Sequence, residues 1–339
     1  DVYKRQDYAK VRDHVRGVIA AIEPNDSVER FTGLGVNVIL GAAKFTSPNT
    51  VEAGGKTVQA KRFIIATGSS AMIPPILGLD QVKYLTNETV FELDTRPDHL
   101  IVIGGGPIGA ELAQAHRRLG AEVTIVEMFN FLGKDDPELT EVVRKQFALD
   151  GINIRAQTAV TAIEKDSDKI VVVTEKNGQI ERITGSHLLV AAGRIPTLDG
   201  LNLEAAGVAF KRKGIEVDAR LRTTNKKIFA IGDIASPYQF THMAGYHASI
   251  VIRNALFKLP AKVHYSAVPW VTYTDPELAH VGKTETDAEK EHPGAIKILR
   301  GPFHENDRAQ AERETEGMIK IITTKKGRIL GATIVGPHA

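Results

Sequence analysis

The sequence predicts an α/β fold built on parallel sheets, followed by a smaller α+β part. Three observations predict it. Apolar runs such as Leu100-Ile101-Val102-Ile103 are continuous rather than alternating, the pattern of parallel strands buried on both faces. That run passes through a glycine-rich turn into apolar residues at helical spacing. After about Lys262 the pattern changes to short strands around one helix.

In chain order, a helix is expected at about 8–21, then short strands around 36–40 and 57–58 with a small-residue bend at 41–45. The apolar strand 63–66 ends in the small residues Ala66, Thr67 and Gly68, and the loop breakers Pro74, Pro75 and Gly78 follow. Strand 100–103 leads into Gly104, Gly106 and Gly109, a G-x-G-x-x-G turn. Ile108, Leu112, Ala115 and Leu119 then mark the apolar face of a helix, and Gly120 suits its end. A second apolar strand, 123–126, ends in Glu127. Strands at 170–174 and 180–183 flank Asn177-Gly178, the favoured hairpin turn. Strand 187–190 repeats the design of 63–68, with Gly193, Arg194 and Pro196 beyond it, and strand 227–231 ends in Gly232-Asp233. Further on come a strand at 270–273, a helix at 284–291 with Thr284 as cap, and strands 318–323 and 329–335 paired around Lys326-Gly327.

The glycine turn carries the chemistry. Its first glycine allows the sharp turn, its second lets a pyrophosphate approach the backbone, and its third lets helix and strand pack closely. Glu127, at the end of the next strand, is placed to hold both ribose hydroxyls of an adenine dinucleotide. A carboxylate there repels the 2′-phosphate of NADP, and Met128, Phe129 and Asn130 offer no cation to welcome it, so NAD(H) is favoured over NADP(H).

With 339 residues, 42% apolar and 25% charged, the chain has room for two or three globular domains. Its net charge of +2 is spread along the sequence, which argues against a nucleic-acid groove or a polybasic membrane patch. No apolar run reaches the roughly 18 residues of a membrane span and no signal-peptide core opens the sequence, so a cytoplasmic location is expected. The chain contains no cysteine, which excludes thiolate chemistry within these residues, and its 11 histidines lack ligand spacing, so no metal site is expected.

These pieces, in this order, resemble the pyridine nucleotide-disulfide oxidoreductases, the class I flavoprotein disulfide reductases. The matching motifs are ATG at 66–68, GGGPIGAE at 104–111, VEMF at 126–129, AAGRIP at 191–196, FAIGDI at 229–234 and PWVTYTDPELAHVG at 269–282. VEMF looks more like the dihydrolipoyl dehydrogenase branch, and QFTHMAG at 239–245 more like the mercuric reductase branch. The resemblance implies two Rossmann-like FAD/NAD(P)-binding domains plus a truncated α+β dimerisation domain. Its segments are 1–94 (partial FAD domain), 95–195 (NAD domain), 196–262 (return to the FAD domain) and 263–339 (interface domain).

Carried over by motif, Gly104, Gly105, Gly106, Pro107, Ile108, Gly109, Glu111, Glu127, Val160 and Gly193 are expected to bind NAD. Ala43, Ala66, Thr67, Gly68, Asp233 and Thr241 are expected to line the FAD site, with Asp233 on the ribityl chain. Thr241, at the start of a helix near His242, would face the flavin's pyrimidine edge, where the positive end of the helix dipole favours negative charge. Glu111 is the candidate catalytic residue, because in the family it pairs with a lysine beside the flavin. Read alone, it also fits a carboxylate complementing the dipole in the first helical turn.

Two family features are not found here: the N-terminal FAD glycine motif with its C-x-x-x-x-C dithiol, and the C-terminal histidine-glutamate pair, for which His338 lies too early. Residues 1–6 match none of the family's motifs. The expectation is an internal piece of a longer protein, inactive alone and weak in FAD binding, whose parent is a homodimer. That parent would pass hydride from NADH through FAD to a disulfide-type acceptor such as lipoamide, or to Hg(II). A flavin-dependent transhydrogenase and a non-catalytic NAD-binding module are the alternatives.

Overall fold

The structure, a computed structural model, describes residues 7–339; the first six residues of the chain lie outside the described residues. The chain divides into two compact units, each assembled from separate stretches. The first comprises residues up to Val15, Met72–Gly193 and Ser266–Ala339; the second comprises Arg16–Ala71 and Arg194–Tyr265.

In the first unit, four parallel strands lie in the order His187–Val190, His99–Ile103, Glu122–Glu127, Asn153–Ala156. Successive side chains of His99–Ile103 alternate between two cores. Leu100 and Val102 pack with Phe147, Leu139 and Val143 of the helix Pro137–Leu149. Ile101 and Ile103 pack with Ile163 and Val172 of an antiparallel meander. Burial on both faces is why this strand reads as one unbroken apolar run. The meander, Ala159–Asp166, Lys169–Lys176 and Gln179–Gly185, turns at Asn177 (φ 52°) and Gly178 (φ 78°), the left-handed pair of the expected hairpin.

Five antiparallel strands complete this unit in the order Pro269–Thr272, Glu277–Gly282, Ile329–Gly336, Met318–Thr324, Ile296–Pro302. Leu278 and Val335 share the core of helix Pro137–Leu149, which fixes the α+β sheet to the parallel one. The expected cap is present: Thr284 Oγ1 accepts the Asp287 N–H at 3.2 Å, ahead of the helix Glu285–Glu291.

The helix after the glycine turn, Pro107–Arg118, corrects the sequence reading. Its buried residues are Gly109, Ala110, Ala113, Gln114 and His116. Ile108 and Leu112 are half-buried and Ala115 is exposed. Close approach to the sheet selects small residues for the inner face, so apolar spacing pointed to the wrong stripe. Glu111 is also not in the first turn: the helix starts at Pro107, which makes it the fifth residue.

In the second unit, Phe63–Ile65 pairs in parallel with Ile228–Ala230 over a core of Phe45, Ile65, Leu203, Ile228 and Ile234. The helix Thr241–Ala255 covers a second cluster with Ile250, Val251, Leu221 and Phe229. A three-stranded antiparallel sheet is formed by Lys44–Ser47, Thr50–Ala53 and Lys56–Gln59. The strand expected at 36–40 does not form. Val36 and Leu40 are 48% and 75% exposed, and the chain pairs only from Lys44 onward, past a bend at Gly41.

Candidate nucleotide-binding sites

The glycine turn in the first unit is set by close approaches that only glycine permits. Gly104 has φ 111°, and a Cβ on it would lie 2.3 Å from the Ala191 carbonyl oxygen. A Cβ on Gly109 would lie 2.0 Å from the Gly104 carbonyl oxygen, so the helix can reach the strand end only as glycine. Gly106 differs. Nothing lies within 4 Å of the position its Cβ would take, which leaves open space against bare backbone at the helix N-terminus. Pro107 takes the first helical position, where its missing N–H costs nothing.

Glu127 ends its strand beside this turn. One carboxylate oxygen accepts the Gly105 N–H at 2.6 Å and the other accepts the Phe129 N–H at 2.7 Å. A Cβ on Gly105 would lie 3.0 Å from Glu127 Cβ and 3.1 Å from the Phe131 ring, so any larger residue there would have to push those side chains aside. The acid is thereby a fixed negative charge at the mouth of the turn. Gly193 (φ 114°) lies two residues beyond Ala191, whose carbonyl faces Gly104. Val160 packs with Val126 and Ile103 in the meander-side core.

Glu111 leaves the turn on the helix. Its carboxylate accepts the Tyr273 N–H at 2.9 Å, and burial raises its pKa above the ordinary carboxylate value, partly offset by that bond. Gln114 exchanges two hydrogen bonds with the Asp275 backbone, both 2.8 Å, and Arg118 reaches the Asp275 carboxylate at 2.7 Å. One polar stripe of the helix therefore clamps the turn after strand Pro269–Thr272, which is why Gln114 is buried without being apolar. Tyr273 and Asp275 were not expected as partners; nothing in sequence spacing links residues so far apart.

The second unit holds the residues expected at the flavin. Asp233 follows strand Ile228–Ala230, half-buried, and its carboxylate accepts the Ser69 hydroxyl at 2.6 Å. Arg194 Nε donates to Ser69 Oγ at 2.7 Å and lies 3.9 Å from the Asp233 carboxylate. Ser69 and Arg194 were missed by sequence reasoning; the signal for Arg194 was its place directly after Gly193 in AAGRIP. Ala43, Ala66 and Thr67 are exposed, and Thr67 Oγ1 donates to the Thr197 carbonyl at 2.9 Å. Gly68 (φ 68°) has open space beside it, and Thr241 is the exposed first residue of the helix Thr241–Ala255. An open glycine turn beside a fixed acid in one unit, and a hydrogen-bonded carboxylate beside small exposed residues in the other, are the residues that could hold nucleotide cofactors.

A family model described as pyridine nucleotide-disulphide oxidoreductase matches residues 4–248, and its dimerisation-domain counterpart matches residues 268–339. The chain belongs to this family. The match starts inside residues 1–6, which the motif reading had left unmatched. A mercuric reductase of Bacillus cereus is 41% identical over 308 residues, covering 90% of this chain and 49% of that protein. A dihydrolipoyl dehydrogenase of Thermus scotoductus is 37% identical over 316 residues, covering 90% and 66%. The chain thus spans about half the length of the first of these relatives. Among solved structures, the HOCl-induced flavoprotein disulfide reductase RclA of Escherichia coli superposes with a TM-score of 0.90 at 27% identity, over 99% of this chain and 77% of that one. Members of the family thus share the mixed α/β architecture expected from sequence. Among the described residues, no helix is long and apolar enough to cross a membrane.

Proposed function

We propose that this chain carries the nucleotide-handling part of an FAD-dependent oxidoreductase that takes electrons from NADH and passes them to a disulfide-type acceptor. The observation that carries the reading is the open backbone at Gly106, next to Gly105, whose N–H together with that of Phe129 fixes the Glu127 carboxylate. Nicotinamide and flavin, when bound, supply the hydride chemistry itself. The chain supplies placement and charge. The turn 104–109 cradles the pyrophosphate, Glu127 holds the ribose hydroxyls and turns away a 2′-phosphate, and Val160 and Gly193 line the route along the strand ends. Glu111, fixed by the Tyr273 N–H, presents a desolvated carboxylate from the same helix. Asp233, polarised by Ser69 and Arg194, accepts the ribityl hydroxyls, and the N-terminus of Thr241–Ala255 favours negative charge on the flavin.

Among acceptors, Hg(II) and the disulfide that a dihydrolipoyl group forms on oxidation follow from the relatives' names. The match of residues 268–339 to the dimerisation model supports a homodimer as the working form. The deciding experiment is NADH titration of the chain and of Gly106→Val, which fills the open space. Loss of at least about tenfold in affinity is expected, the scale of one or two lost phosphate hydrogen bonds. Equal affinity for the two would overturn the site.

A further inference from the structure

The Gly232 N–H has no place in the parallel ladder. The last ladder bond before it runs from the Ile231 N–H to the Ile65 carbonyl at 3.0 Å, and Gly232 then turns with φ 70° toward Asp233. Its N–H is buried and must find another acceptor. That acceptor is His247 Nδ1, at 3.2 Å, on the helix Thr241–Ala255. His247 is 0% exposed. Because Nδ1 accepts, the neutral ring carries its proton on Nε2, which lies 3.2 Å from Tyr265 Oη and donates to it. The Tyr265 ring packs on the Tyr238 ring with centroids 5.6 Å apart, and the Tyr238 N–H donates to Ser236 Oγ at 3.0 Å. One relay, His247 and Tyr265, therefore holds the loop 232–238 at both ends.

We propose that His247 is a positioning residue for Asp233: through Gly232 and, by way of Tyr265, through Tyr238, it fixes the loop that aims the Asp233 carboxylate. This rests on the reading of Asp233 as a flavin ligand. A core histidine kept only for packing would need neither bond, since a leucine fills similar space. The carboxylate, by contrast, accepts the Ser69 hydroxyl at 2.6 Å and needs a backbone that holds that geometry.

Three substitutions separate the roles. His247→Asn keeps an acceptor where Nδ1 stands but is the smallest of the three; His247→Gln reaches Tyr265 but leaves the Gly232 N–H unpaired; His247→Leu keeps volume and neither bond. Amide hydrogen exchange of the peptide covering 228–238, in the chain without added ligand, is expected to quicken about tenfold in the Gln and Leu variants and by less than about twofold in Asn. FAD affinity, read by quenching of flavin fluorescence, is expected to fall in the same order. Tyr265→Leu, which loses both the His247 bond and the ring contact with Tyr238, is expected to quicken exchange at the Tyr238 end alone. If exchange instead follows thermal stability, with Asn worst because it leaves the largest cavity, His247 is only packing and the proposal fails. If the exchange order holds while FAD affinity does not follow it, the flavin reading of Asp233 falls and the loop-positioning role stands.

Discussion

Lys320 Nζ lies 2.7 Å from the Asp136 carboxylate, and each of the two side chains is only 3% exposed. Glu285 at 2.6 Å and Glu138 at 3.0 Å complete the ring of acids around this one ammonium. Asp136 is also the N-cap of helix Pro137–Leu149, accepting the Glu138 N–H at 3.0 Å. Removing the cation strands a buried carboxylate. Lys320→Met is expected to destabilise the chain by about 3–5 kcal/mol in urea unfolding. The double variant Lys320→Met/Asp136→Ser, which removes the charge and keeps a capping oxygen, is expected to regain most of that loss. A single variant with an unchanged midpoint would contradict the account.

The same cluster gives the chain an acid limb. Arg300, donating to both oxygens of Glu138 at 2.7 and 2.9 Å, together with Lys320, lowers the Glu138 pKa from 4.5 to about 2. A depressed folded-state pKa contributes stability that is present above the ordinary value and lost as pH falls toward the folded one. Stability is therefore expected to drop between about pH 4.5 and about pH 2, and Glu138→Gln is expected to flatten that stretch. The effect is modest because the side chain is 36% exposed. Identical pH profiles for the two proteins would remove Glu138 from the explanation.

Replacing Glu127 with arginine tests the nucleotide preference. The wild-type acid is expected to bind NADH tighter than NADPH. Glu127→Arg should weaken NADH by about 1–3 kcal/mol, the size of a lost charged hydrogen bond, and improve NADPH. Paired titrations that leave the ratio unchanged would show that the acid does not read the ribose.

Glu111→Gln keeps the acceptor for the Tyr273 N–H and removes a desolvated charge. Burial raises the wild-type pKa, so the folded state holds its proton longer than the unfolded chain does, and stability declines as pH rises through that interval. Thermal unfolding at pH 7 is expected to show the Gln variant as stable as, or more stable than, wild type, with the difference vanishing in acid. A variant clearly less stable at neutral pH would mean that the carboxylate has a second, stronger partner.

Much of this was legible in the sequence because the strongest signals there are local. Leu100 to Ile103 read as a doubly buried strand, and Asn177-Gly178 as a hairpin, since each depends on adjacent residues alone. The glycines of the turn were legible because a missing side chain has one structural use at each position. The helix Pro107–Arg118 was misread on its inner face because tight packing onto a sheet inverts the usual rule that the bulky residues go inside. The strand expected at 36–40 failed because apolar residues make a strand only when a neighbour pairs with them. Ser69 beside Arg194, and Tyr273 beside Glu111, were invisible for a different reason: they are brought together by topology, and no periodicity records it.

The nested order of the two units bears on how the chain acquires its structure. Strand Phe63–Ile65 must find Ile228–Ala230 across an intervening stretch that contains the whole glycine-turn sheet. Joining such distant segments through a disordered chain is entropically costly and slow. The ends of the intervening stretch meet, however. The Met72 N–H donates to the Gly193 carbonyl at 2.9 Å, and Ala71 pairs with Arg194. Once residues 72–193 have taken their shape, the flanking segments leave side by side, and partners remote along the polypeptide become close neighbours. Folding of residues 72–193 is thereby expected to lower the entropic cost of closing the second unit, and during synthesis the Asp233 segment emerges only after the glycine turn.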